Sequence, residues 1–190
     1  MDSTAANSLM ACRHRRIVVI GAPGSGKSTL ARRLARSLDS VFIELDALFW
    51  EANWSSATLD VFRGRADEAT RPTEWVAAGN YRHVRDILWP RAEAIVWLDY
   101  PLPLVFWRLT VRTVRRAVTR EVLWNGNRES FWEHLQLWSE RSLFHWLLKT
   151  YWRHKRENPI LFTLPEHAHL EIIRFRGPRQ AERWLQSCRV

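Results

Sequence analysis

Arg16-Ile-Val-Val-Ile-Gly-Ala-Pro-Gly-Ser-Gly-Lys-Ser28 is the stretch that decides the fold. A β-branched run of strand length ends on Gly21, and Gly21–Ser28 fits the pattern G-x-x-x-x-G-K-[ST] at every position. Leu30, Leu34 and Leu38 then recur at helical spacing, so a buried strand enters this loop and an amphipathic helix leaves it. Gly21, Gly24 and Gly26 let the backbone turn until successive N–H groups face inward, and the helix adds the positive end of its dipole. Such a cradle suits the phosphates of a nucleoside triphosphate. The residues expected to hold it are Gly21, Ala22, Pro23, Gly24, Ser25, Gly26, Lys27, Ser28 and Thr29. Lys27 would reach the β- and γ-phosphates and the Ser28 hydroxyl would ligate Mg²⁺. A nucleoside triphosphate and Mg²⁺ are therefore the implied cofactors, against the alternative of a glycine-rich turn without a ligand.

Working outward, strands are predicted at Val41–Leu45, Glu74–Ala78, Ala94–Leu98 and Leu170–Phe175. Helices are predicted over 57–69 (capped by Ser56), 83–89 (stopped by Pro90), 103–116, 131–156 (ending before Pro159) and 178–188. Strands that alternate with helices and are apolar almost throughout imply a parallel sheet covered on both faces, an α/β three-layer sandwich. No repeat or linker divides the chain. One domain over 16–188 is expected, with a flexible lead-in at 1–15 and a lid-like insertion at 119–130.

The 190 residues are enough for one domain, and 46% hydrophobic with 26% charged is the mix of a globular chain rather than a disordered or collagenous one. With Cys12 and Cys188 alone, a disulfide scaffold and a cysteine metal cluster are excluded. No apolar run is long enough to span a membrane, and the first 16 residues are not ordered as a secretory signal, so a cytoplasmic location is expected. The net charge of +9 favours polyanions, either nucleic acid or nucleotide phosphates, and charge alone does not choose.

Several polar groups fall at the strand ends, where such sheets open their binding crevice. Asp46 follows the second strand and reads as an acceptor-orienting or metal-linked carboxylate, or else as a helix cap. Asp99 follows the fourth and reads equally as a member of the Mg²⁺ shell or as a cap. Arg108, Arg112, Arg115 and Arg116 share one side of a helix, and Arg120 and Arg128 lie beyond it. Guanidinium groups near a phosphate loop suit phosphoryl transfer, in which charge develops on the equatorial oxygens; a solvated basic face is the alternative for Arg115, Arg116 and Arg120. Asn125-Gly126-Asn127 marks a tight turn, hence a small flap able to fold over phosphates. Trp50 and Trp54 could line an acceptor pocket or pack their own loop. Trp132, Trp138, Trp146 and Trp152 read as core or dimer-interface residues, so a monomer and a homodimer both stay open. His167 and His169 lack the partners of a metal site.

The run from Gly21–Ser28 through Leu45-Asp46, Gly79-Asn80-Tyr81, Leu98-Asp-Tyr-Pro101 and Trp124-Asn-Gly-Asn-Arg-Glu-Ser130 resembles the adenylate-kinase-like P-loop proteins. Among them it is most similar to the subgroup called DNA topology modulation proteins. The resemblance covers about residues 16–187 and implies a five-stranded parallel sheet in the order 2-3-1-4-5. It assigns Arg108 to the adenine or phosphate edge, Arg112 to the phosphates and Arg128 to a short lid. Gly79 and Arg82 align with a glycine and an acceptor-binding arginine of adenylate kinases, and Asn80 lies between them. Ala78 replaces the aspartate of that motif, which shifts the metal role toward Asp46 and Asp99. The expected activity is transfer of the γ-phosphate of ATP to a small nucleotide or metabolite. In it Lys27, Arg112, Arg128 and Asp46 would be catalytic, and Asp46, Trp50, Gly79, Asn80 and Arg82 would bind the acceptor. Ser28 and Asp99 would hold the metal. A nucleotide-gated nucleic-acid-binding protein and a weak ATPase are the alternatives.

Overall fold

The computed structural model describes residues 14–119, 124–127 and 143–188. Five strands, β1 (Arg16–Gly21), β2 (Val41–Glu44), β3 (Trp75–Ala78), β4 (Ala94–Leu98) and β5 (Glu171–Phe175), pair in parallel in the order β2-β3-β1-β4-β5. Helices α1 (Lys27–Ser37), α2 (Leu45–Phe49), α3 (Leu59–Ala69), α4 (Arg85–Leu88), α5 (Leu102–Thr119), α6 (Leu143–Phe162) and α7 (Pro178–Ser187) cover the two faces. The period-2 geometry of a strand divides the core. Ile17, Val19, Val76 and Val96 turn to the face packed by α1, α7 and the first part of α6, whereas Val18, Ile20, Ala77 and Trp97 turn to the face packed by α3 and α4. Because both faces are covered, the central strands are apolar without alternation. The architecture is the expected one.

Local departures have physical causes. Leu45 leaves the strand and starts α2, because its side chain is buried beside Gly79 rather than in the sheet. The helix after the Trp50–Ser56 loop begins at Leu59, with Thr58 rather than Ser56 at its N-cap. The segment predicted as a helix over 83–89 is broken into short 3₁₀ turns, Arg82–Val84 and Trp89–Arg91, flanking the single α-turn Arg85–Leu88.

Pro159 does not stop α6, which runs on to Phe162. A proline inside a helix costs about 3 kcal/mol, and burying a leucine and a phenylalanine returns roughly 1.5–3 kcal/mol each. Leu161 and Phe162 obtain that burial, with Phe162 against Trp89 and Trp97 at ring separations of 5.8 and 5.7 Å. Trp146 and Trp152 are about half exposed while Leu147 and Tyr151 turn inward, so these two tryptophans are not core residues of the single chain. His167 and His169 bond the backbone carbonyls of Leu161 and Trp89, a structural use.

The lead-in is tied down at His14 and Arg15. His14 stands 3.4 Å from Glu171. The Arg15 backbone N–H donates to Glu93 at 2.7 Å, and its carbonyl accepts from Trp75. The expectations for residues 1–13, Arg120, Arg128, Trp132, Trp138 and the first part of the 131–156 helix lie outside the described residues.

Candidate active site

The site forms at the C-terminal ends of β1, β2 and β3, where three chain segments turn outward together. After β1 the chain passes through Gly24 and Gly26, at φ 80° and 91°, a region closed to most side chains. Gly24 carries a second constraint. A Cβ there would stand 2.4 Å from the Val105 carbonyl oxygen, so the loop rests directly on α5. A Cβ on Gly26 would meet only an Arg108 nitrogen, at 3.9 Å, which places that guanidinium beside the mouth of the loop. Arg108 also lies 5.8 Å from the Tyr100 ring centre.

Gly26 caps α1 without a side-chain hydrogen bond, and the first turn holds no acid. The opening N–H groups of a helix have no partner within it, so this end is a positive pole awaiting an anion. Lys27 folds back to donate to the Ala22 carbonyl at 3.2 Å. Burial lowers its pKa, Asp46 raises it, Arg112 lowers it and Glu44 raises it, in that order of size. Asp46 and Arg112, on two other elements, thus each lie within electrostatic reach of Lys27. Ser28 and Thr29 follow in the same first turn.

Asp46 lies in the first turn of α2 and accepts the Tyr81 hydroxyl on Oδ1 at 2.6 Å. Burial raises the Tyr81 pKa, and the adjacent Asp46 raises it further, so Tyr81 holds its proton and donates it to the carboxylate. Asn80 follows β3 with its Nδ2 buried and without a partner in the protein, a donor available to a ligand. Gly79 is needed for packing, since a Cβ there would come 2.8 Å from Leu45.

Asp99 is held by two cations. Its Oδ2 accepts from Arg174, its Oδ1 lies 3.5 Å from Lys155, and its side chain is almost fully buried. Both cations compete with any metal ion for this carboxylate. It ties β5 and α6 to the end of β4. Ser28, in the first turn of α1, could hold a magnesium ion beside the loop, and Asp46 keeps Oδ2 outside its bond to Tyr81.

Helix α6 adds residues that sequence reasoning misses. The His154 pKa is pushed down to about 4, first by burial and then by the cations Arg153, Lys27 and Arg85, so α6 crosses close to the phosphate loop. Arg85 is lowered by burial, by Arg82 and by Arg153, with Glu157 opposing. Arg82 and Arg153 therefore lie within electrostatic reach of Arg85, and Arg153 stands 4.0 Å from Glu157. The available signal is periodic: Leu147, Tyr151, His154 and Asn158 fall on one inward face of α6, and polar residues at core-facing positions are unusual.

The Asn125-Gly126-Asn127 turn is present, with Asn125 at φ 54° and Gly126 at φ 78°. Its described residues are hydrogen-bonded to the Trp50–Trp54 loop. Trp50 and Trp54 stack edge to face at 5.5 Å, and Trp54 meets Trp124 at 6.4 Å.

The family described as AAA domain matches residues 17–95, from β1 into β4. A shikimate kinase of Synechococcus elongatus is 25% identical over 137 residues, which cover 60% of this chain and 72% of that protein. The crystal structure of an Acinetobacter baumannii shikimate kinase in complex with shikimate superposes with a TM-score of 0.52 at 19% identity, covering 94% of this chain and 93% of the other. A gluconokinase from Sinorhizobium meliloti 1021 gives 0.50 at 21% identity, covering 90% and 91%. The fold is that of the P-loop kinases.

Proposed function

We propose that the chain is an ATP-dependent phosphotransferase that moves the γ-phosphate of ATP to a hydroxyl group of a small anionic metabolite. The observation that carries this reading is the approach of Asp46 and Arg112 to Lys27 at the uncapped first turn of α1. The loop amides and Lys27 would hold the β- and γ-phosphates, with Arg108 at the mouth and Arg112 on the transferring group. Bound Mg²⁺, held by Ser28 with Asp46 nearby, would neutralise phosphate charge. Asp46 would orient the acceptor hydroxyl and take its proton as the oxygen bonds to phosphorus and the bond to the ADP oxygen breaks.

The anionic character of the acceptor follows from cost. Arg82 and Arg153 both act against the charge of Arg85, with Glu157 opposing them, and a bound carboxylate or phosphate would relieve that repulsion. The names of the related proteins, shikimate kinase and gluconokinase, support a hydroxy acid over a nucleotide. The Trp124–Asn127 run keeps the finer similarity to topology modulation proteins in view. Binding of nucleic acid has weaker support, since Arg15, Arg16, Arg33, Arg63, Arg65 and Arg91 each face a carboxylate rather than forming one bare basic surface.

The test is incubation with magnesium and γ-labelled ATP against hydroxy acids, nucleoside monophosphates and neutral polyols. Label is expected on a hydroxy acid. Lys27→Ala is expected to lower transfer by at least about 10²-fold, the scale of losing one donor to a developing anion. Slow hydrolysis with no labelled acceptor would replace this reading with that of a weak ATPase.

A further inference from the structure

The Asn127 carboxamide is 4% exposed and is used at both ends. Its Nδ2 donates to the Glu51 carbonyl at 2.7 Å and its Oδ1 accepts the Trp54 backbone N–H at 2.8 Å, while Asn125 Nδ2 donates to the Trp50 carbonyl. Aspartate at position 127 would lack the donor, and alanine would lack both groups. The loop held in this way is strained. Asn53 and Trp54 stand at φ 60° and 55°, consecutive non-glycine residues in the left-handed region. Such a conformation persists only where its surroundings impose it, and the Asn127 bond to the Trp54 N–H is one such constraint.

At the other end of the loop, the Trp50 N–H closes α2 on the Asp46 carbonyl at 3.0 Å, and the Phe49 ring packs against both Trp50 and Tyr81, with centroids 5.0 Å from each. The Tyr81 hydroxyl donates to Asp46 Oδ1 at 2.6 Å, which commits Oδ1 and leaves Oδ2.

We propose that Asn127 is a positioning residue of the acceptor site: by fixing the Trp50–Trp54 loop it holds the end of α2, where Trp50 bonds the Asp46 carbonyl and Phe49 packs on Tyr81, and so presents Asp46 Oδ2 to the acceptor hydroxyl. This rests on the phosphotransferase reading, in which Asp46 receives the hydroxyl proton. It assigns to the Asn-Gly-Asn turn a task on the acceptor side of the crevice, separate from any contact with phosphate.

The test is a double-mutant cycle of Asn127→Ala and Tyr81→Phe, with Asn127→Asp as the conservative variant. Each single change is expected to lower kcat/KM for the phosphorylated hydroxy acid about tenfold, the scale of one buried hydrogen bond, and to leave the Kd for magnesium–ATP within twofold. Asn127→Asp, which keeps the acceptor for the Trp54 N–H, is expected to recover part of that loss. The double variant is expected to fall no further than the worse single one, because both act through one carboxylate. Losses that multiply, or a parallel loss of ATP affinity, would make Asn127 a general structural staple and overturn the proposal. A second readout needs no acceptor: Asn127→Ala should diminish the circular-dichroism signal of the coupled Trp50 and Trp54 rings in the free protein, with helix content and ATP affinity unchanged. An unaltered ring signal would also overturn the proposal. If no compound is phosphorylated, the phosphotransferase reading fails while the ring signal still decides whether Asn127 sets the loop.

Discussion

Two loops meet at the crevice, and both need backbone in the left-handed region. The phosphate loop supplies it with glycine, at Gly24 and Gly26, where the conformation is cheap and is written in the sequence. The Trp50–Trp54 loop supplies it with Asn53 and Trp54, where it is costly, and is held by side-chain hydrogen bonds from a turn more than seventy residues away. The first loop is shaped by neighbouring residues, so its chemistry can be read along the chain. The second is shaped by tertiary contact. A sequence can thus reveal one loop of a crevice and conceal the other.

The contrast meets its severest trial at Gly24. Gly24→Ala adds a Cβ 2.4 Å from the Val105 carbonyl oxygen, so α5 must shift. The cost is expected to reach about 3 kcal/mol, strain and overpacking together, measured by chemical denaturation, with magnesium–ATP binding lost alongside. An unchanged denaturation midpoint would show that the loop does not rest on α5.

His154 probes the phosphate side from α6. Its folded pKa, about 4, lies below the ordinary 6.5, so between those values the unfolded chain binds a proton that the native state refuses. Its contribution to stability is therefore complete above pH 6.5 and declines as the pH falls toward 4. His154→Gln should flatten that decline, and unfolding free energies at pH 7 and pH 5 would show it. Equal slopes in the two proteins would place His154 in ordinary solvent.

Gly26→Ala separates strain from contact within the phosphate loop. It meets nothing closer than 3.9 Å and carries only the penalty of φ 91°, expected at roughly 1–2 kcal/mol. A cost equal to that of Gly24→Ala would mean that strain, and not contact with α5, dominates both positions. The smallest effect is expected at Asn53. Asn53→Gly keeps φ 60° without a side chain to strain it, so stability should change by no more than about 0.5 kcal/mol, in either direction. A larger loss would show that the Asn53 side chain itself holds the loop.

The elements legible along the chain share one property. Strands β1, β3 and β4 are buried on both faces, so almost every residue along them is apolar, and the sequence places them to within a residue or two. Sequence reasoning fails where a distant partner outweighs the local signal. Pro159 marks a stop, but Trp89 and Trp97 offer Phe162 a better outcome in continuing. Asp99 marks a strand-end carboxylate, but nothing along the chain pairs it with Arg174 and Lys155. Tyr81 stands in the Gly79-Asn80-Tyr81 motif with no evident task, because nothing along the chain says that its hydroxyl reaches Asp46, thirty-five residues earlier.

The amino-acid sequence alone specifies the glycine-rich loop, the parallel sheet and the residues suited to face a triphosphate, because glycine conformations, strand burial and a helix N-terminus are consequences of neighbouring residues. The proposed acceptor side is a product of tertiary packing: which carboxylate stays available, which arginines come within reach of Arg85, and that an asparagine turn holds a strained aromatic loop in place. Hydrogen bonds and ion pairs between remote segments leave no periodicity in the chain, and they become visible only when the fold has closed.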